Sequence, residues 1–374
     1  MSDDAELRGR LAAWLQTRWT ADFATPPGAL EITAFGRLAK GQSSDMLEVS
    51  CRAGDRARDY VVRCEPRARQ LFLKPDAVRE ALVIRGLASH GVVPLPEVCW
   101  IEPDAAVLGA PFFVMGRVEG QAVLGRPSMH QMGLLPTLNR EARETLWASA
   151  MAALTAIHAA DWRLSHGFLD DADAQAGRFV NHVARLAEWY AWTTKGRAFP
   201  ITDAALAHLQ RRAPDLEGAD PVLVWNDARV GNMMFGADHK VAAVIDWEQS
   251  LIGPREIDLG YWVMMDEFHA ESIGVARLPG WPGEAETIAR YEALSGRRVR
   301  HIDDFVILGA FFIATTLIRQ ADIGVAQGRL TADTRMGHDN TTTQMIARRL
   351  GLAVPELSAD FAAHRGLPPS AARS

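Results

Sequence analysis

The sequence changes texture once, near Gly120, and that single change limits what the chain can fold into. From about residue 30 to 118 it is a series of short runs rich in β-branched and aromatic residues. LEITAFGRLA, DMLEVSC, DYVVRC, EVCWIE and PFFVMGRV read as strands. Gly54-Asp55 marks the turn between the second and third. One helix interrupts the series. It starts near Pro75-Asp76, a pair suited to a helix N-terminus, and runs to about Ser89, where Gly91, Pro94 and Pro96 forbid continuation. Ahead of the strands, residues 3–19 place Leu7, Leu11, Trp14 and Leu15 on one helical face. Beyond Gly120 helical spacing takes over: Leu146, Ala150, Leu154 and Ile157 within 139–160, then Phe179, Val183, Leu186 and Trp189 within 177–192. Strands gathered in one stretch and helices in another predict an α+β protein of two domains. The first, residues 1–116, is the N-terminal helix plus a β-rich lobe; the second, residues 117–374, is helical.

Composition narrows the function. With 374 residues, 48% of them hydrophobic, the chain has ample material for a buried core. A net charge of −6 disfavours nucleic acid and anionic membranes as partners. Cys51, Cys64 and Cys99 form no CxxC pair, and the histidines show no HExxH or paired spacing, so neither a zinc site nor a disulfide framework is expected. The opening MSDDAELRGR is unlike the basic, apolar start of a signal peptide. The longest apolar run, Phe305 to Ile318, falls short of the roughly 20 residues of a membrane span. A cytoplasmic protein is the expectation.

The most informative stretch is 222–247, β-rich in a helical setting. It reads strand (VLVW), polar loop (NDARVGN), strand (MMF), turn (GADHK) and strand (VAAVID). Asp227 and Asn232 sit in the loop and Asp246 at the last strand end, which would bring all three out on one edge of a hairpin. Singly, each is an ordinary turn or cap residue. Together they match what phosphoryl transfer requires: a carboxylate to orient and accept the proton of an attacking hydroxyl, and two oxygen ligands for Mg²⁺ on nucleotide phosphates.

WNDARVGNMMF and VIDWE resemble the corresponding segments of the aminoglycoside phosphotransferase-like kinases. The resemblance extends over about 28 to 350. It is closest to the branch that includes kinase domains fused to acyl-CoA dehydrogenases, through GQSSDMLEV, YVVRCEP, DAVREALVIRGL, GAPFFVMGRVEG, IGPREIDLGYW and RYEALSGRRV. It implies a two-lobed protein-kinase-like fold and an ATP donor, GTP being the alternative, with Mg²⁺. Asp227 becomes the base, Asn232 and Asp246 the metal ligands. Arg229 either steadies the transferred phosphoryl group or braces the loop. Gly41, Ser43 and Ser44 would cradle phosphates, unless they form a plain hairpin turn. Arg63, paired with Glu80, would hold phosphates from the third strand, and backbone near Gly116 and Val118 would bind adenine. Two departures stand out. Arg63 replaces the usual lysine, keeping the charge with a different geometry, and Lys40 could supplement it. Trp225-Asn226 replaces His-Gly, which makes Trp225 an anchor under the metal segment.

Other polar residues receive plainer readings: His158 a packed or hydrogen-bonded histidine, Asp258 a helix cap, and Asp266, Glu267 and His269 either a substrate-facing group or a solvated face. From Arg255 onward acidic and basic residues nearly balance, and Arg297, Arg298 and Arg300 cluster. Either that cluster is a solvated helix-to-loop surface or it favours an anionic acceptor, and the related branch points to hydroxyacyl-CoA thioesters. The alternatives are an antibiotic phosphotransferase and a nucleotide-binding pseudokinase scaffold. Either a monomer or a homodimer is compatible with the sequence.

Overall fold

Along residues 45–53 and 56–64 alternate apolar residues are buried, and they line one face of a sheet. A computed structural model describes residues 2–38, 43–67, 70–170 and 177–368. It divides into two units, residues 1–88 with 95–118, and residues 89–94 with 119–374.

The first unit opens with α1 (Ser2–Phe23), followed by β1 (Glu31–Arg37), β2 (Asp45–Ala53), β3 (Arg56–Cys64), α2 (Ala77–Ala88), β4 (Val98–Glu102) and β5 (Phe112–Gly116). The five strands form one antiparallel sheet in the order β1-β2-β3-β5-β4. Leu47, Val49 and Cys51 of β2 and Tyr60, Val62 and Cys64 of β3 are buried against Leu7, Leu11, Trp14, Leu15 and Trp19 of α1. Each such large apolar side chain contributes about 1.5–3 kcal/mol. Alternation along β3 sends Arg63 to the opposite face from Val62. There it meets α2, whose N-terminus is capped by Asp76 accepting from the Arg79 N–H at 2.8 Å.

The second unit carries β6 (Gln121–Ala122), α3 (Arg140–Ala159), α4 (Arg178–Thr194), α5 (Pro200–Arg212), β7 (Val222–Val224), β8 (Met233–Phe235), β9 (Val241–Val244), β10 (Leu251–Gly253), α6 (Glu256–His269), α7 (Glu284–Ser295), α8 (Ile302–Ala326), α9 (Thr341–Leu350) and α10 (Ala359–Arg365). The stretch 222–247 is not a single sheet. β7 pairs with β10, and β8 lies between β6 and β9. The sequence pattern shows strand character but not partners, and β7 takes its partner from beyond the hairpin. The long apolar run lies within α8, where Phe305, Val306, Ile307, Leu308 and Phe311 are buried. Among the described residues no helix is long and apolar enough to cross a membrane. Gly260 lets α6 lie against α8, since a Cβ there would stand 2.5 Å from the Phe305 carbonyl carbon.

Candidate active site

The polar loop follows from its flanking strands. β7 ends at Val224 and β8 begins at Met233, so residues 225–232 must turn the chain between two different sheets. Asn226 takes a left-handed backbone (φ 64°), which an asparagine tolerates better than most residues. Trp225 is fully buried. Its indole N–H donates to the carbonyls of Ile245 (3.2 Å) and Asp246 (2.8 Å), anchoring the loop under the segment that bears Asp246.

Asp227 is held from several sides. Its Oδ1 accepts from Arg229 Nε at 3.1 Å and its Oδ2 from Asn232 Nδ2 at 2.6 Å, and the Tyr261 hydroxyl of α6 also bonds it. Burial pushes its carboxyl above the ordinary range. The Arg229 guanidinium opposes that rise and the nearby Asp246 adds to it. Arg229 thus braces the loop. Asn232 is buried, and its amide nitrogen is committed to the Asp227 carboxylate and to the Asp227 carbonyl at 3.1 Å. That leaves Oδ1 as its acceptor atom. The Ile245 N–H donates to the Asn232 carbonyl at 3.0 Å, which sets Asn232 and Asp246 at the same end of β8–β9. Asp246 is also left-handed (φ 68°). An amide oxygen and a carboxylate are hard donors of the kind Mg²⁺ accepts when phosphates and water complete its shell. Among the described residues no group of three or more His, Cys, Asp or Glu could hold a metal by itself.

Asp258 is the residue whose importance sequence reasoning missed. It is no cap: α6 begins at Glu256, and the fully buried carboxylate reaches back to the loop. Oδ2 accepts from the Trp225 N–H at 2.8 Å and Oδ1 from the Asn226 N–H at 2.6 Å. His158 Nε2 lies 2.9 Å from Oδ2, and its Nδ1 is 2.7 Å from the Tyr291 hydroxyl. A carboxylate only accepts, so Nε2 carries the hydrogen and Tyr291 donates to Nδ1. The spacing of polar residues gives no hint of this network, because it ties α3, α6 and α7 to loop backbone. Nor is the 266–269 group a solvated face. Asp266 is buried, with its carboxyl pushed up to about 7 by burial against the opposing pull of Arg277. Glu267 pairs with Arg348 (3.3 Å) and Arg349 (2.9 Å).

In the first unit Arg63 Nε and Glu80 Oε2 are 2.7 Å apart, and both side chains are buried. A buried pair is expensive to break, about 3–5 kcal/mol when one partner is removed, unlike an exposed one. Ser44 Oγ is buried without a hydrogen-bond partner among the described residues. Ser43 is half-buried beside it; Gly41 and Lys40 lie outside the described residues. Gly116 donates to the Glu97 carbonyl (2.9 Å) and Arg117 to that of Asp59 (3.0 Å). Of the three N–H groups from Gly116 to Val118, only that of Val118 has no acceptor among the described residues.

The chain as a whole is similar to known proteins. Residues 36–293 match the model of the phosphotransferase enzyme family. The chain is 27% identical over 361 residues to the Arabidopsis thaliana protein called "Probable acyl-CoA dehydrogenase IBR3", covering 89% of this chain but only 41% of that protein. Among solved structures it resembles a chain from Ralstonia eutropha JMP134 named for aminoglycoside phosphotransfer, with a TM-score of 0.66 and 23% identity, covering 92% of this chain and 98% of that one. A thermostable mutant of aminoglycoside phosphotransferase APH(4)-Ia, in ternary complex with ADP and hygromycin B, gives 0.55 at 17% identity, covering 90% and 98%. Both structures share the fold.

Proposed function

The chain belongs to the phosphotransferase enzyme family, and from that premise we propose that this small-molecule kinase moves the γ-phosphoryl group of ATP to a hydroxyl of an anionic metabolite. A hydroxyacyl-CoA is the proposed acceptor. The single observation that carries the reading is the Asp227 carboxylate, fixed by Arg229, Asn232 and Tyr261 beside Asp246. A carboxylate so held orients an attacking hydroxyl and takes its proton. Asn232 Oδ1 and the Asp246 carboxylate would hold Mg²⁺, which when bound neutralises charge on the nucleotide phosphates. The first unit is assigned the nucleotide: Arg63, positioned by Glu80, and Gly41, Ser43 and Ser44 its phosphates, Gly116 and Val118 its adenine. The second unit is assigned the acceptor. The acyl-CoA reading is supported by the relative's name, though the chain spans less than half of that protein. An antibiotic acceptor is the second reading, favoured by the hygromycin B complex of a fold neighbour. Susceptibility of an expressing cell to such drugs separates the two.

The decisive experiment is Asp227→Asn, which nearly preserves shape and removes the proton acceptor. Turnover should fall by about 10² or more while nucleotide affinity stays near that of the wild type. Full activity in a pure preparation would overturn the assignment.

A further inference from the structure

The charge cluster visible in the sequence is not the unusual one. Arg297 lies 3.3 Å from Asp220 and Arg298 lies 3.2 Å from Glu292, so these arginines have acidic partners. A second group, assembled by the fold from distant segments, has none among the described residues. Arg126 follows β6, Arg329 follows α8 and Arg365 ends α10.

Arg365 stacks 4.1 Å over the Phe268 ring and donates through Nη2 to the Pro127 carbonyl at 2.5 Å. Its Nε is buried with no acceptor among the described residues. Arg126 runs beside it, with Cγ 4.0 Å from where a Cβ on Gly366 would stand. Arg329 donates to the neutral Gln327 side chain at 2.9 Å. The field is unrelieved: burial and then the Arg126 charge pull Arg365 down to about 9. Burial, followed by Arg126, Arg365 and Arg329, pulls His364 down to about 4. The segment that bears Arg126 adjoins the polar loop, the Val123 carbonyl lying 3.4 Å from where a Cβ on Gly231 would stand. His269, at the end of α6, is held neutral first by burial, then by the charges of Arg365 and Arg229, and its Nδ1 is buried without a partner.

An arginine with a buried, unpartnered Nε, a second arginine beside it and no carboxylate partner among the described residues gains when an anion joins it. Planar forks bind phosphate oxygens in pairs, and a desolvated fork binds them more strongly. We propose that Arg126 and Arg365 bind a phosphate group carried by the acceptor. The proposal rests on reading the Asp227 loop as the transfer site, and it moves the acceptor's anionic anchor from Arg297–Arg300 to this group.

The test uses the intact chain with its nucleotide site filled by AMP-PNP, titrated calorimetrically with inorganic phosphate, coenzyme A and phosphate-free pantetheine. Phosphate and coenzyme A should bind, pantetheine at least about tenfold more weakly than coenzyme A, and R126Q should lose about tenfold for both phosphate-bearing probes. AMP-PNP affinity should not change. Arg126 is exposed, so the variant folds, and loss of a repelling charge should hold or raise its Tm. Binding of inorganic phosphate without coenzyme A, lost in R126Q, supports the subsite and identifies a smaller phosphorylated acceptor. Unchanged probe binding in R126Q, equal binding of pantetheine and coenzyme A, or no binding of either phosphate probe overturns the proposal. Asp227→Asn decides the transfer reading separately, so either can fail alone.

Discussion

Replacing Asp258 by Asn tests how the polar loop is held. The native carboxylate accepts two loop N–H groups, one on each oxygen, and the His158 imidazole shares Oδ2. An amide can present only one acceptor oxygen. Whichever way it turns, at least one fully buried backbone N–H faces an NH₂ group. An unmet buried donor costs about 1–3 kcal/mol, so urea unfolding should show a loss of that order in D258N. Because the orphaned donor belongs to residue 225 or 226, the strain falls directly before Asp227. Turnover should drop by at least about tenfold, with the KM for ATP nearly unchanged. Leu154→Ala supplies the control: a buried leucine on α3, it should lose about 2–5 kcal/mol without a comparable fall in kcat. If D258N keeps wild-type turnover and stability, or if Leu154→Ala lowers kcat equally, the tether does not place the loop.

Two further outcomes follow from the charges. Arg229 opposes the burial that raises the Asp227 carboxyl; Arg229→Gln should therefore move the acid limb of kcat/KM toward neutral pH, and an unmoved limb would show that the limb reports another group. Burial pushes the Asp266 carboxyl up to about 7 in the folded chain, against 3.8 ordinarily. Because the folded state holds this proton more tightly, its contribution to stability is complete below the unfolded value and is lost as pH rises through about 7. D266N should flatten the fall in unfolding free energy between about pH 4 and 7, and parallel curves for the two proteins would refute the assignment.

How much of this was legible in the sequence depended on how local each relation was. Asp227 and Asn232 share one loop, and Asp246 lies just past β9, the strand paired with the one that follows that loop, so spacing alone brings them together. Arg63 and Glu80 were legible as strand and helix positions, though not as a buried pair. Asp258 was not, because its meaning lies in backbone donors more than 30 positions earlier, and an aspartate near a helix start is far more often a cap. The Arg297–Arg300 run was conspicuous for its adjacency, yet Asp220 and Glu292 neutralise part of it. Arg126, Arg329 and Arg365 carry no local signal at all. Only packing of α10 beside the segment after β6 makes Arg126 and Arg365 neighbours.

The close approach at Gly260 has a consequence for how such a chain can diversify. With no room for even a methyl group between the two helices, α6 is keyed to α8 at one rotational setting, and Asp258, two residues earlier on the same helix, inherits that setting. Loop geometry is therefore not an independent variable: any drift in this joint would be transmitted to the chemistry. Lineages remodelling acceptor choice would inherit the keyed pair as one block.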